Sequence, residues 1–272
     1  VMEELNIGKE ENKSLRQIFD ESKVSIHKWE NYFEIYESYF SKFRKRNARV
    51  LEIGIQYGGS LKMWKEYFGN AKIFGIDINP DCKNLEEQNI DIQIGSQNDK
   101  RFLKDFAEYV NSLDIIIDDG GHTMDQQLKT FKVLFPILNE EGIYVVEDVE
   151  SSYQNMYGGG PKRNGTFIEY SKNLIDKINA NHSDFVTLKP NWHSKNIEFI
   201  HYYNNVVVFK KKSIKTFPIN IRNKGGLTLN KDKRSKVPKL KLFASSVISV
   251  INKILGYLRL KPLYIGSTSQ RL

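Results

Sequence analysis

Two short runs hold the residues best suited to chemistry. In IIIDDGGHTMDQQ (115–127), Asp118, Asp119 and His122 fall within five positions at the end of an apolar run. In GIYVVEDVE (142–150), a second apolar run ends in Glu147 and Asp148. Acids and an imidazole at such places are costly to desolvate without partners. Asp119, Glu147 and Asp148, if brought together, repel one another unless a cation sits between them. All-oxygen ligation suits a hard divalent ion, Mg²⁺ first, with Mn²⁺ and Fe²⁺ as alternatives. His122, three positions after Asp119, can act as a fourth ligand or as a base. The base is the more useful role, because a hydroxyl is a poor nucleophile near neutral pH and an imidazole beside an ion can take its proton. The plainer alternative is that these residues cap helices or stay at the surface.

The surrounding pattern explains how distant residues can meet. Residues 13–46 read as helix, with Trp29, Tyr32, Phe33, Tyr36, Phe40 and Phe43 in helical spacing. Short apolar runs follow at 49–55, 72–77, 90–94, 113–118 and 142–147, separated by helix-length segments near 60–68, 81–88, 99–111 and 124–138. Alternation of this kind implies a parallel sheet covered on both faces. Residues 197–203 and 206–212 flank Asn204-Asn205, which predicts an antiparallel hairpin. The expected fold is α/β and Rossmann-like: a mostly parallel seven-stranded sheet of the methyltransferase variant, with N-terminal helices and a basic C-terminal tail. Expected boundaries are 1–47 for the helical segment, 48–212 for the sheet domain and 213–272 for the tail. Ligands of such sheets gather at the carboxyl ends of the strands. Glu52, Gly54, Asp77, Ser96, Gln97, Asp118, Asp119, His122, Glu147 and Asp148 all fall at those ends.

LEIGIQYGGS (51–60) reads E-x-G-x-x-x-G-G-S. It resembles the first motif of class I S-adenosylmethionine (AdoMet) methyltransferases. The resemblance implies a glycine loop under the methionine part of AdoMet, with Ser60 at a helix N-terminus available to its carboxylate. Asp77, about twenty residues on, is placed to accept two ribose hydroxyls. The implied cofactor set is Glu52, Gly54, Tyr57, Ser60, Asp77, Ser96, Gln97 and Asp118. A dinucleotide is the competing ligand, but the G-x-G-x-x-G fingerprint is missing here.

D-G-G-H at 119–122, followed by E-D at 147–148, is similar to the metal-dependent sugar O-methyltransferases of macrolide biosynthesis. That resemblance covers about residues 30–210. It implies metal ligands at Asp119, Glu147 and Asp148 and a catalytic base at His122. SSYQNMYGGG (151–160) resembles the glycine-rich substrate loop of the same family, which makes Tyr153 a substrate contact. The N-terminal helices are shorter than in the macrolide enzymes and the basic tail has no counterpart. These differences favour a smaller acceptor, a nucleotide-linked or surface-polysaccharide sugar. A catechol-type hydroxyl is the alternative acceptor, and a non-catalytic, membrane-associated AdoMet-binding assembly protein the alternative class. Trp192 and His193 are candidates for the acceptor pocket or for packing. His27, His182 and His201 read as structural or surface residues, and Cys82 as a small core residue.

Charge divides the chain. Sixteen of the 41 Lys and Arg, but one of the 33 acids, lie in residues 210–272, a net +15 that leaves −7 on the remainder. Residues 210–241 read as a mobile basic arm. Residues 242–260 place Phe243, Val247, Ile251, Ile254, Leu255 and Leu258 on one helical face, for packing on the domain, self-association or contact with an anionic membrane. The acidic body and the lack of a base-reading motif argue against nucleic acid. A single cysteine, a polar N-terminus unlike a secretory signal, and no long apolar run predict a cytoplasmic protein, with the inner membrane face as the tail's alternative site.

Overall fold

Strands buried on both faces grow out of the near-continuous apolar runs. A computed structural model describes residues 13–219, 221, 239–258 and 260–262. Helices α1 (Leu15–Glu21) and α2 (Tyr32–Phe40) come first. Strand β1 (Arg49–Ile53), helix α3 (Gly59–Phe68), β2 (Lys72–Asp77), β3 (Ile90–Ile94), α4 (Lys100–Val110), β4 (Leu113–Asp118), α5 (Met124–Leu134) and β5 (Leu138–Val146) alternate after them. Helices α6 (Phe167–Ile178) and α7 (Trp192–Asn196) lead to the hairpin β6 (Ile197–Tyr203) and β7 (Val206–Lys211), and α8 (Lys239–Tyr257) is last.

The strands form one seven-stranded sheet in the order β3-β2-β1-β4-β5-β7-β6. Strands β1 to β5 pair in parallel, and β7 joins β5 antiparallel. Alternate residues serve opposite faces. Val50, Ile73, Ile115, Val145 and Val208 pack with the N-terminal aromatics. Leu51, Phe74, Ile116, Tyr144 and Phe209 pack on the other face, with residues of α4, α5 and α6.

Several expected boundaries change. The N-terminal helix is interrupted: Ser22 is extended and ends α1, and residues 22–31 form a loop before α2. The spacing of Tyr32, Phe33, Tyr36 and Phe40 is helical, but Trp29 lies outside the helix. The helix expected at 81–88 is a short 3-10 turn, Pro80–Leu85, set by the Asn79 cap and the proline. Helices α6 and α7 were not anticipated.

The described residues divide into two compact units. The larger holds Ser183 and everything before it, with Leu188–Thr216; the other holds Asp184–Thr187 and residues from Phe217 on. Residues 222–238 of the basic arm, and the side chain of Phe243, lie outside the description. In the second unit the Phe185 ring packs edge-on against Tyr257, while Val247, Ile251, Ile254 and Leu258 are exposed. Among the described residues no helix is long and apolar enough to cross a membrane.

Trp64 of α3 joins the N-terminal helices to the sheet domain. Its ring is fully buried, edge-on to Tyr36 at 5.1 Å and to Phe40 at 5.7 Å. Trp64→Ala should therefore lower the unfolding free energy by about 3–5 kcal/mol, measured by urea denaturation.

Candidate active site

Strands β1 and β4 are neighbours in the sheet, but the chain runs outward from them in opposite directions, toward β2 and toward β5. The crevice beyond their carboxyl ends is where open α/β sheets bind ligands. The loops after the two strands touch there. The Asp119 N–H donates to the Ile53 carbonyl at 3.0 Å, and the Glu147 N–H to the Asp118 carbonyl at 3.0 Å. Gly54 has φ +84°, and a Cβ on it would overlap the Asp119 carbonyl oxygen, so this position takes only glycine. A cavity of about 720 Å³ opens above, within the ~300–1,000 Å³ usual for small-molecule sites.

One half of the cavity is lined by Gly54, Tyr57, Ser60, Asp77, Ser96 and Gln97. Asp77 Oδ2 accepts the N–H groups of Ile55 (2.9 Å) and Gln56 (3.2 Å), and Oδ1 accepts that of Asn79 (2.8 Å). Its first task is thus to shape the loop after β1. Gln97 ties two loops together, donating to Asp118 Oδ1 at 2.5 Å and accepting the Gly121 N–H at 3.0 Å. Two residues of the expected cofactor set stand behind the wall, not in it. Asp118 is 1% exposed, and burial pushes its carboxyl up to about 7 despite hydrogen bonds from Gln97 and Tyr144. Glu52 is fully buried; it accepts the Ser60 hydroxyl at 2.5 Å. Tyr57 is 71% exposed at the rim.

The other half is acidic. Lys28, from the loop between α1 and α2, reaches into it with a side chain only 2% exposed. Its Nζ donates to Glu52 Oε1 at 3.1 Å, Asp119 Oδ2 at 2.6 Å and Glu147 Oε2 at 3.0 Å. Burial alone would lower the ammonium pKa, but the charges of Asp119, Glu147 and Glu52 outweigh it and hold Lys28 well above the usual lysine value. The second oxygen of Glu147 accepts the Tyr36 hydroxyl. Both Glu147 oxygens are thereby engaged. Asp148 Oδ1 accepts from Tyr32 (2.7 Å), Trp29 Nε1 (3.1 Å) and Asn205 (3.1 Å). Lys28, Trp29, Tyr32 and Tyr36 escaped the sequence reading, because aromatic spacing there signalled only a packed helix.

The atoms these bonds leave open face one another. His122 Nε2 is 4.0 Å from Asp119 Oδ1 and 3.6 Å from Asp148 Oδ2. Asp119, His122 and Asp148 each offer one donor atom, all within 4.8 Å of one another, a group able to hold a metal ion. His122 (φ 56°) and Asp148 (φ 51°) are both left-handed, a conformation that costs a non-glycine residue roughly 1–3 kcal/mol and concentrates at functional sites. His122 Nδ1 is buried with no hydrogen-bond partner. Capping does not explain these residues. Thr123 caps α5 in a capping box with Gln126, and Asp148 makes no side-chain cap bond. The donor set suits a divalent cation bound through oxygen with one imidazole at hand.

Tyr153 is 56% exposed at the end of a 3-10 turn and is not part of the cavity wall; Tyr157 is, with its ring 6.4 Å from that of His122. Trp192 packs edge-on against Phe135 at 6.0 Å, and neither it nor His193 lines the cavity. His27 does line it, whereas His201 Nδ1 pairs with the Tyr39 hydroxyl at 2.7 Å. Cys82 is buried.

Comparison with known proteins places this geometry. No protein-family profile matches the chain. The 8-demethyl-8-(2-methoxy-alpha-L-rhamnosyl)-tetracenomycin-C 3'-O-methyltransferase of Streptomyces olivaceus is 35% identical over 196 residues, 67% of this chain and 50% of that protein. The mycinamicin VI 2''-O-methyltransferase of Micromonospora griseorubida is 35% identical over 189 residues, 65% of this chain and 47% of that protein. The chain thus spans about half the length of these curated relatives. Among solved structures, the MycE methyltransferase of the mycinamycin pathway, in complex with Mg, SAH and mycinamycin VI, superposes with a TM-score of 0.67 at 31% identity. That match covers 77% of this chain and 57% of the other.

If Asp148 is a donor to a cation, Asp148→Asn should weaken Mn²⁺ binding at least about tenfold, the loss of a charged ligand. Titration followed by electron paramagnetic resonance measures this. Unchanged affinity would leave Asp148 as an anchor for Trp29 and Tyr32 only.

Proposed function

The chain belongs among the class I AdoMet-dependent methyltransferases, as a relative of the sugar O-methyltransferases of macrolide biosynthesis, and on that premise we propose that it methylates a sugar hydroxyl with AdoMet and a divalent cation, Mg²⁺ first. One observation carries this reading. The Gly54–Asp77 wall and the Asp119–His122–Asp148 donors line a single cavity at the carboxyl ends of β1 and β4. The relatives are named for methylating a rhamnosyl tetracenomycin-C and mycinamicin VI, so the acceptor is proposed as the hydroxyl of a sugar.

In this reading Asp77 and the loop it braces hold the methyl donor, with Ser60, Ser96 and Gln97 beside it. Asp119 and Asp148 would hold the cation, which would supply Lewis acidity toward the acceptor hydroxyl. His122 takes the hydroxyl proton at Nε2, the ring nitrogen that faces the open carboxylate oxygens. Residues 25–30 line the cavity, and the bonds from Trp29 and Tyr32 to one oxygen of Asp148 leave its other oxygen toward His122. Tyr157 lines the cavity with its ring 6.4 Å from that of His122, within reach of a bound acceptor. Positioning and charge supply most of the acceleration.

The test is methyl transfer from labelled AdoMet to a panel of glycosylated acceptors, with and without chelator. Product should form only with metal. A catechol accepted in place of every sugar would change the acceptor class, and binding of AdoMet without product on any acceptor would favour a non-catalytic role. With an acceptor in hand, His122→Ala should lower kcat by about 10²–10⁴-fold while AdoMet affinity holds. Loss of Mn²⁺ binding in that variant would make His122 a ligand instead. Asp77→Ala should weaken AdoMet binding by roughly 1–3 kcal/mol in calorimetry, because a charged acceptor and the loop it braces are both lost. Tight NADH binding with none for AdoMet would sink the proposal.

A further inference from the structure

The acidic half of the cavity already contains a cation. Glu52, Asp119 and Glu147 converge on one ammonium group, and both the lysine side chain and the two glutamates are almost wholly buried. Asp119 is the shared residue. Its Oδ2 is bonded to Lys28, and its Oδ1 faces His122 and, beyond it, Asp148. Glu147 is the residue held back, with one oxygen on Lys28 and the other on Tyr36. We propose that Lys28 is the resident counter-cation of this site, a positioning residue that holds the carboxylates together without metal and sets how tightly a divalent ion binds beside it. The inference rests on the proposed metal dependence and extends it to a residue outside the sheet domain's motifs.

A buried ammonium next to an ion site repels the ion, and the repulsion is weakly screened because the lysine side chain is almost wholly buried. It also satisfies Glu147, which would otherwise be free to turn toward the ion. Removing the ammonium leaves buried carboxylates uncompensated, which destabilises the protein unless another cation arrives. The lysine therefore lends the metal-free protein stability while lowering its affinity for metal. Because Lys28 lies on the loop of residues 22–31, whose Ser25 carbonyl packs directly on Gly59, the same contact also pins that loop over the cavity.

The test compares wild type, Lys28→Met and the charge-balanced Lys28→Met/Glu147→Gln variant. Mn²⁺ binding is read by electron paramagnetic resonance and melting temperature by circular dichroism, each in EDTA and with Mn²⁺. Lys28→Met should melt several degrees lower in EDTA, regain the loss with Mn²⁺, and bind Mn²⁺ about tenfold or more tightly than wild type. The double variant should return toward wild type in both. If Lys28→Met does not fold in EDTA, rescue by Mn²⁺ or by Glu147→Gln supports the same conclusion, and failure of both rescues overturns it. Mn²⁺ affinity that is unchanged or weaker in Lys28→Met also overturns it. A wild-type protein that binds no Mn²⁺ would instead remove the metal dependence on which the inference stands.

Discussion

Carboxylates buried at the ends of neighbouring strands need positive charge in contact with them, and much of the local architecture follows from that need. Glu52, Asp119 and Glu147 come from the ends of three neighbouring strands, and the sheet order alone brings them together. Burying one such charge without compensation is prohibitive, and even a good buried pair gains little over apolar packing. A cluster maintained at that cost is better explained by function than by stability. Lys28 neutralises part of it, and the remaining open oxygens of Asp119 and Asp148 face His122. The N-terminal segment is therefore part of the site: Lys28, Trp29, Tyr32 and Tyr36 each bond to an acid at the end of β4 or β5.

The two halves of the cavity are mechanically joined. Gly54 lets the loop after β1 approach the Asp119 backbone, and Gln97 bonds both Asp118 and the Gly121 N–H. A shift of the loop that Asp77 braces would thus be felt at Asp119. His122 and Asp148 adopt left-handed backbone, strain that the surrounding bonds must hold in place. For Asp148 those bonds are visible: three donors on one oxygen, which leave the other aimed at His122. For His122 the constraint is the capped start of α5 immediately after it.

The strands were legible in the sequence because burial on both faces writes itself as uninterrupted apolar runs, and the acids at their ends could be placed once the order of elements was read. Gly54, Asp77, Asp119, His122 and Asp148 came out of that logic, and all five line the cavity. What stayed hidden depended on tertiary choice. Lys28 lies in a polar stretch that looks like any solvated lysine, and only the break in the helix at Ser22 turns it inward. Tyr32 and Tyr36 looked like core residues; their rings are, but their hydroxyls serve the acids. Asp118 and Asp119 are adjacent and chemically alike, yet the strand's alternation sends one behind the wall and the other into the cavity. The loop motif points to Tyr153, but a motif carries no information about which tyrosine turns inward, and it is Tyr157 that lines the cavity.

The most direct measurement is anomalous diffraction from a crystal of the protein soaked in Mn²⁺. One strong peak is expected between Asp119 and Asp148, beside His122, with Lys28 still bonded to Glu52 and Glu147. A peak at the position of the Lys28 ammonium with Lys28 displaced and Glu147 coordinating, or no peak in the crevice at all, would contradict that arrangement.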